Sequence, residues 1–354
     1  MSERKKLKPT DPRKRVSRRT AEPEVNYFAA GRTKKMDFVS SGCSLFDNML
    51  GGGYVLGRVV NLVGDKSTGK TLLAIESCCN FLAAYPEGVI RYAEAEAAFD
   101  LEYAAALGMP VDRVQFAGQG ENESFDTVED FYEDLDAFID QLNGRPAIYI
   151  LDSLDALSDR SEEKRKIDEG SYGGNKPKKL GELFRRLTRR IEESRVLLVI
   201  ISQIRDKIGV MFGETKTRTG GRALDFYASQ IVWLSEMGKM KKTVEGIDRI
   251  IGVEVKAKCK KNKIGLAFRE CQFPVLFGYG IDDITAAVEW LLDIKQEEKL
   301  KELGFTKAGY KLRIGTLRNK GGKEVAELRS RLRDIVDAEW ARIETSFLPQ
   351  SKKY

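Results

Sequence analysis

The segment Gly64–Thr71, GDKSTGKT, constrains the fold of this chain most strongly. It matches the pattern G-x-x-x-x-G-K-[ST], follows the apolar run Arg58–Val63 and opens the helical pattern Lys70–Ala84. Glycines let backbone N–H groups curl around phosphate oxygens at a helix start, so this loop needs a buried strand before it and a helix after it. An ordinary glycine-rich turn is the alternative. The predicted ATP-binding residues of the loop are Gly64, Asp65, Lys66, Ser67, Thr68, Gly69, Lys70 and Thr71.

Strand-like apolar runs alternate with helical patterns along most of the chain. This alternation predicts an α/β fold with a mostly parallel central sheet flanked by helices. Three later runs have looser turns and predict an antiparallel extension of the sheet. The predicted strands are Arg58–Val63, Gly88–Ala93, Val114–Ala117, Ala147–Leu151 and Val196–Ile201, followed by Ile231–Trp233, Gly252–Lys258 and Cys271–Leu276. The predicted helices are Lys70–Ala84, Asp126–Leu142, Leu180–Ser194 and, near the end of the chain, Glu324–Ile343.

Charge divides the chain into three parts. Residues 1–38 carry a net charge of +7 and residues 295–354 carry +6, although the whole chain of 354 residues has only +6. We therefore expect a basic N-terminal arm at 1–35, a core at 36–294 with an acidic balance, and a small basic helical domain at 295–354. Basic ends are typical of nucleic-acid binding, of docking on an acidic neighbour, or simply of a solvated surface.

Composition excludes several kinds of chemistry. The chain has no histidine, which removes histidine acid–base catalysis and histidine-ligated metals. Its five cysteines have no zinc-ligand spacing and indicate buried thiols in a reducing compartment. No apolar run is long enough for a membrane span, and the first residues lack a secretory signal. We therefore expect a cytoplasmic protein without a membrane partner.

Carboxylates follow two of the predicted strands. Asp152 ends the run AIYILD and, at the carboxyl end of a buried parallel strand, could bind Mg²⁺ together with the Thr71 hydroxyl. Glu94, Glu96 and Asp100 follow another strand and are candidates to orient an attacking water. Either glutamate could instead be a solvated residue at a helix start, and spacing alone does not choose between them.

The segment Ser202–Ser229 follows the most apolar strand. Gln203 is predicted at the strand exit, where an amide could sense a γ-phosphate. The loop behind it combines a net charge of +3 over residues 205–222 with apolar residues such as Ile208 and Phe212. Such a loop suits a partner with phosphates and stackable bases, and a mobile surface loop is the alternative. The lysine-rich run Lys256–Lys263 is either a solvated face or a set of cations offered to a neighbouring subunit's nucleotide.

Together these elements resemble the RecA recombinase family, from about Met36 to Ile294. The most specific pieces are KIGVMFG at Lys207–Gly213 and the TGG-x-AL-x-FYAS pattern at Thr219–Ser229, which look like the second DNA-binding loop of the family. The resemblance implies that Glu96 activates water, that Asp100 and Tyr103 contact adenine, and that Gln203 couples ATP to DNA. It implies that Lys261 and Lys263 reach the next subunit's ATP, so the implied catalytic set is Glu96, Lys70, Gln203, Lys261 and Lys263.

The resemblance also implies two DNA loops, at about 160–179 and 204–222, with Ile208 as a wedge between bases. Phe226 matches a subunit-interface residue. The family's N-terminal polymerisation helix is not recognisable, so Tyr27 and Phe28 are offered as an alternative docking element. The implied DNA contacts are Gly173, Gly174, Lys178, Arg185, Arg205, Lys207, Ile208, Thr219, Gly220, Gly221 and Arg222.

The function implied by this resemblance is an ATP- and Mg²⁺-dependent recombinase. It would form a helical homo-oligomer on single-stranded DNA, pair it with homologous double-stranded DNA and exchange strands, with a single-strand-binding protein and a loader as further expected partners. The alternative is a RecA-like paralogue that mediates or regulates recombination with weak strand exchange. A hexameric helicase motor is disfavoured by the segment Lys207–Ser229.

Overall fold

The computed structural model describes residues 36–118, 125–163, 175–206, 216–349 and Ser351. The N-terminal arm with Tyr27 and Phe28 lies outside the described residues. The same holds for four of the predicted DNA contacts: Gly173, Gly174, Lys207 and Ile208.

The described chain alternates strands and helices in its first half and becomes helical at its end. The strands are β1 (Phe38–Val39), β2 (Tyr54–Val55), β3 (Val59–Gly64), β4 (Val89–Glu94), β5 (Val114–Phe116), β6 (Ala147–Asp152), β7 (Val196–Asp206), β8 (Lys216–Arg218), β9 (Gln230–Val244), β10 (Ile247–Asn262), β11 (Glu270–Leu276) and β12 (Gly280–Ile281). The helices are α1 (Ser44–Leu50), α2 (Lys70–Ala84), α3 (Leu101–Ala106), α4 (Val128–Gln141), α5 (Arg160–Glu163), α6 (Asn175–Glu193), α7 (Gly221–Tyr227), α8 (Asp283–Asp293), α9 (Glu297–Glu302), α10 (Tyr310–Lys320) and α11 (Gly322–Ser346).

A single large sheet organises the described residues. Its strand order is β12-β11-β10-β9-β3-β7-β6-β4-β5, and β8 pairs with the end of β7. From β9 to β5 the strands are parallel, whereas β9, β10, β11 and β12 pair antiparallel. The predicted fold class, a mostly parallel helix-flanked sheet with an antiparallel extension, is confirmed.

Helices cover both faces of this sheet because its central strands are apolar on both sides. In β7, Leu197, Val199 and Ile201 pack into one core, and Val196, Leu198 and Ile200 pack into the other. The first core includes buried residues of α1, α2 and α8, and the second includes buried residues of α4, α6 and α7. Alternating burial of this kind fixes the strand register, since a slip of one residue would exchange the two faces.

The C-terminal helices share a hydrophobic core with the sheet. Leu300, Ile314 and Leu332 belong to the same buried cluster as α1, α2 and α8, and Trp340 of α11 stacks on Trp290 of α8 at 5.7 Å. Two buried carboxylates also join the parts: Arg333 pairs with Asp47 at 2.5 Å, and Arg318 pairs with Asp282. Apolar packing and ion pairs with buried partners therefore hold α10 and α11 against α1 and α8.

Three local predictions require correction. Gln203 is not at the exit of a strand that ends at Ile201, because β7 continues to Asp206 and pairs antiparallel with β8. The predicted loop 204–222 accordingly contains the end of β7, β8 and the start of α7. The predicted loop 160–179 contains the short helix α5 and the beginning of α6, which starts at Asn175 rather than at Leu180.

No helix among the described residues combines the length and apolar character that a membrane span requires.

Candidate nucleotide site and DNA-facing cleft

The loop between β3 and α2 has the backbone geometry of an anion-binding loop. Gly64 ends β3, and α2 begins at Lys70. Between them the backbone takes positive φ at Ser67 (60°) and at Gly69 (80°), and the Thr68 hydroxyl donates to the carbonyl of Asp65 at 2.9 Å. Left-handed residues inside such a turn point successive N–H groups toward one concavity, next to the positive end of α2. The loop therefore fits a nucleotide phosphate.

Lys70 lies over this loop. Its ammonium donates to the carbonyl of Asp65 at 2.7 Å. Burial lowers the pKa of Lys70, while the nearby carboxylates of Asp152 and Glu96 act in the opposite direction. A phosphate oxygen would replace a neutral carbonyl acceptor with a charged one, which strengthens the hydrogen bond to an ammonium.

Thr71 and Asp152 form an oxygen pair that suits Mg²⁺. The Thr71 hydroxyl donates to Oδ2 of Asp152 at 2.8 Å, and the Tyr92 hydroxyl donates to the same oxygen at 2.9 Å. Burial raises the pKa of Asp152, and these two hydrogen bonds counteract the rise. A hydroxyl and a carboxylate beside a phosphate loop are hard oxygen ligands of the kind that Mg²⁺ prefers, so the two residues present fit the ion.

The two candidate glutamates have different environments. Oε1 of Glu94 accepts the backbone N–H groups of Glu96 at 2.8 Å and of Ala98 at 3.2 Å, so Glu94 holds the turn after β4. Oε1 of Glu96 accepts from the amide Nε2 of Gln203 at 2.9 Å and from the hydroxyl of Ser153. Glu96 is thus the glutamate that faces the neighbouring strand ends.

Asp100 and Tyr103 lie at the start of α3. Oδ1 of Asp100 caps the helix by accepting the backbone N–H of Tyr103 at 2.9 Å. The Tyr103 hydroxyl pairs with the backbone of Gly278, and burial raises the pKa of this tyrosine. Gly278 belongs to the turn between β11 and β12, which the sequence analysis did not include in the site. Its exposed Phe277 offers a ring that could stack on a base, and the flanking glycine in FGYG was the available signal.

Lys261 and Lys263 do not lie beside the phosphate loop of their own chain. The backbone N–H of Lys263 donates to Ser229, whose own N–H donates to Val59 at the first residue of β3. The phosphate loop starts at Gly64, the other end of that strand. The rise of β3 from Val59 to Gly64 is about 16 Å, and this distance separates the backbone near Lys263 from the phosphate loop.

The two lysines instead hold the end of α7. Both ammonium groups donate to the carbonyl of Phe226, and Lys261 also donates to that of Asp225. Burial, with the neighbouring Lys263, lowers the pKa of Lys261 to about 8. The Phe226 ring is 70 % exposed and lies 5.8 Å from the ammonium of Lys263. These side chains form a cationic and aromatic surface far from the phosphate loop of the same chain.

The described residues of the predicted DNA contacts fall into two groups. Arg205, Thr219, Gly220 and Gly221 line a cleft of about 570 Å³ beside the start of α6. Gly220 caps α7 with φ of 86°, and an added Cβ would lie 2.6 Å from Leu224. The second group, Lys178, Arg185 and Arg222, is exposed on helices and is not part of the cleft lining.

A phosphate loop on a central parallel strand, a hydroxyl–carboxylate pair for Mg²⁺ and a glutamate at a neighbouring strand end define the class of P-loop ATPases. A protein-family model described as the RecA N-terminal domain matches residues 14–282. The chain therefore belongs to the RecA family. The match begins within the basic N-terminal arm, earlier than the motifs alone indicated.

Membership of this family supports a recombinase-type function in general, with use of a nucleotide and Mg²⁺, DNA binding and self-association.

Proposed function

We propose that this protein is a DNA-dependent ATPase that forms a helical filament on single-stranded DNA and catalyses homologous pairing and strand exchange. The observation that carries the proposal is the hydrogen bond from Gln203 to Glu96. Gln203 stands on a strand that continues to Arg205 in the cleft, and Glu96 stands beside the phosphate loop. Two side chains in contact thus link the nucleotide site to the cleft.

In this proposal each residue of the nucleotide site has a distinct task. The loop N–H groups and Lys70 bind the phosphates of ATP, and Thr71 and Asp152 hold Mg²⁺, which supplies charge neutralisation of the phosphate oxygens when bound. Glu96 takes the proton of the attacking water as general base. Without ATP, the amide of Gln203 donates to the carboxylate of Glu96. When ATP binds, the amide donates to the γ-phosphate instead, and this change of hydrogen-bond partner is the switch.

A site shared between subunits explains where Lys261 and Lys263 act. About 16 Å of strand separates them from the phosphate loop of their own chain. Cations so far away contribute little to the chemistry of that loop, because exposed charges are screened beyond about 10 Å. In a head-to-tail filament the same surface meets the nucleotide of the next subunit, and a heterologous contact of this kind propagates without closing.

The cleft side of the proposal concerns single-stranded DNA. Arg205, Thr219 and the Gly220–Gly221 backbone offer donors suited to phosphate oxygens rather than to base edges. Binding should therefore depend weakly on sequence and fall steeply with salt. Phe226, being exposed, is proposed as a contact between successive subunits.

The test is strand exchange between a circular single strand and a homologous linear duplex with ATP and Mg²⁺. We expect joint molecules with the wild type and none with Lys70→Ala, which removes the cation over the phosphate loop. Single-stranded DNA binding and ATP turnover without joint molecules would reject strand exchange in favour of a paralogue that mediates or regulates recombination.

A further inference from the structure

We propose that Asp155 is a positioning residue that couples Gln203 to Arg205 and Thr219, the proposed DNA contacts. This inference rests on the proposed function, because it concerns how the same switch reaches the DNA side. Asp155 lies in the turn after β6, three residues beyond Asp152, and only 7 % of its side chain is exposed.

The carboxylate of Asp155 accepts hydrogen bonds from three residues on two sides. Oδ2 accepts the backbone N–H of Gln203 at 2.7 Å. Oδ1 accepts from Nε of Arg205 at 3.2 Å and from the hydroxyl of Thr219. Oδ2 therefore bonds Gln203, whose side-chain amide contacts Glu96, and Oδ1 bonds Arg205 and Thr219, two of the residues that line the cleft.

The strand pairing shows that Asp155 connects two parts of the fold and does not only stabilise its own turn. Gln203 is the last residue of β7 that pairs in parallel with β3, opposite Gly64 of the phosphate loop. From Ile204 onward β7 pairs antiparallel with β8, and Thr219 directly follows β8. Asp155 spans the point where one kind of pairing gives way to the other.

The turn that carries Asp155 is itself held in place. The ammonium of Lys176, on α6, donates to the carbonyl of Leu154 at 2.9 Å and also to that of Leu157. Carbonyls on both sides of Asp155 are thereby fixed to the helix. With its backbone held, the carboxylate responds to a displaced partner mainly by rotation about its side-chain bonds.

A carboxylate is planar and rigid, so its two oxygens move together. When the backbone N–H of Gln203 shifts, Oδ2 of Asp155 follows its donor. Oδ1 then turns toward or away from Arg205 and Thr219. Linkage is reciprocal. If a bound nucleotide changes the affinity for DNA through this link, bound DNA changes the affinity for that nucleotide by the same factor.

An asparagine at this position keeps the size but cannot serve both sides. If its oxygen faces Arg205 and Thr219, its NH₂ group opposes the N–H of Gln203; if it is turned round, its NH₂ group opposes Arg205. Asp155→Asn should therefore break the link while it preserves volume. The matched control is Asp159→Asn: Asp159 is a buried carboxylate of the same cleft, but its Oδ1 accepts hydrogen bonds from Ser161 and from the backbone N–H of Glu162 instead.

The experiment measures binding of fluorescein-labelled oligo(dT) by anisotropy with ADP and with the slowly hydrolysed analogue ATPγS. For the wild type we expect the two Kd values to differ by about tenfold or more, a typical allosteric coupling. For Asp155→Asn the ratio should fall to about one, while for Asp159→Asn it should stay within about twofold of the wild type. Melting curves for each variant confirm that it is folded.

Each outcome decides a different point. A wild-type ratio above one that persists in Asp155→Asn overturns the role of Asp155 and leaves the proposed function intact. A wild-type ratio of one overturns both, because no coupling then exists to transmit. If Asp155→Asn does not fold, Thr219→Val removes one partner of Oδ1 at nearly constant volume and should lower the ratio, whereas Thr219→Ser keeps the hydroxyl and should retain it. Equal ratios for these two variants contradict the proposal.

Discussion

The amide of Gln203 donates to the carboxylate of Glu96 across 2.9 Å, although β6 lies between β7, which carries Gln203, and β4, which ends two residues before Glu96. Ser153, directly after β6, donates to the same carboxylate oxygen. Residues just beyond the carboxyl ends of β4 and β6 and the last residue of β7 that pairs in parallel therefore meet at one carboxylate, at the edge of the sheet where ligands are expected. A residue that moves on β7 changes the environment of the proposed general base directly.

Replacing Glu96 should separate ATP binding from hydrolysis. Glu96→Ala removes the proposed general base, so we expect turnover to fall by about 10²- to 10⁴-fold while the Kd for ATP stays nearly constant. Glu94→Gln is the control, because its amide oxygen can still accept the N–H groups of Glu96 and Ala98 and thereby hold the turn. Steady-state ATPase assays and nucleotide-binding titrations measure the two effects. A larger loss of turnover in Glu94→Gln than in Glu96→Ala would reverse the assignment.

The hydroxyl of Thr71 should set the Mg²⁺ requirement. Thr71→Val keeps the shape of an exposed residue but removes the donor that bonds Asp152 at 2.8 Å. We expect the Mg²⁺ concentration for half-maximal ATPase activity to rise by about 10- to 100-fold. Thr71→Ser retains a hydroxyl and should behave like the wild type. If valine and serine give the same Mg²⁺ dependence, Thr71 does not bind the ion.

Mixing two inactive variants should restore activity if the nucleotide site is shared. One variant carries Glu96→Ala, and the other carries Lys261→Gln with Lys263→Gln, where glutamine can still donate to the carbonyls at the end of α7. In a randomly mixed head-to-tail filament, about a quarter of the interfaces combine an intact Glu96 with intact lysines. ATPase activity of the mixture should therefore exceed that of either variant alone. No gain over a range of mixing ratios would place both functions in one subunit.

Glu76 should make stability depend on pH. Oε1 of Glu76 accepts the N–H of Ile281 at 2.7 Å, and burial raises the pKa of this glutamate from 4.5 to about 7. Between these two pH values the native state binds more protons than the unfolded chain, so stability falls as pH rises and the full cost is present above pH 7. Glu76→Gln should raise the free energy of unfolding at pH 8 by up to about 3 kcal/mol.

Urea unfolding at acidic and alkaline pH tests this prediction. The gain from Glu76→Gln should shrink as the pH falls from about 7 to 4.5 and should vanish about one unit below 4.5, where the carboxyl is protonated in both the native and the unfolded state. Glu87→Gln changes an exposed carboxylate in the turn after α2 and should have little effect at either pH. A gain from Glu76→Gln that is the same at both pH values would show that its charge is not the cause.

The elements that sequence predicted well are those fixed by local patterns. α2 begins and ends at Lys70 and Ala84, as expected, because a phosphate loop must open a helix and the apolar face of that helix continues to its end. The strands β3 and β4 each begin and end one residue later than predicted, and β6 begins as predicted and is one residue longer at its carboxyl end. Continuous apolar runs between glycine-rich turns leave few other structures for such segments.

Elements that depend on distant partners were harder to predict. The end of β7, SQIRD, is mostly polar, and residues 204–206 owe their strand conformation to pairing with β8 rather than to their own propensity. Asp155 gave no local signal, since its partners lie 48 residues away at Gln203 and 64 residues away at Thr219. A role across the subunit interface for Lys261 and Lys263 was predicted from the resemblance, whereas their distance from the phosphate loop of their own chain became evident only from the sheet register.

The rate of ATP hydrolysis with and without single-stranded DNA shows whether the nucleotide site and the cleft are coupled. We expect slow turnover by the protein alone and a strong increase on adding oligo(dT), together with helical filaments in electron micrographs of the ATP-bound state. Lys70→Ala should not hydrolyse ATP, either with or without DNA. An ATPase rate that single-stranded DNA leaves unchanged, with no filaments formed, would contradict the proposed link between the nucleotide site and the cleft.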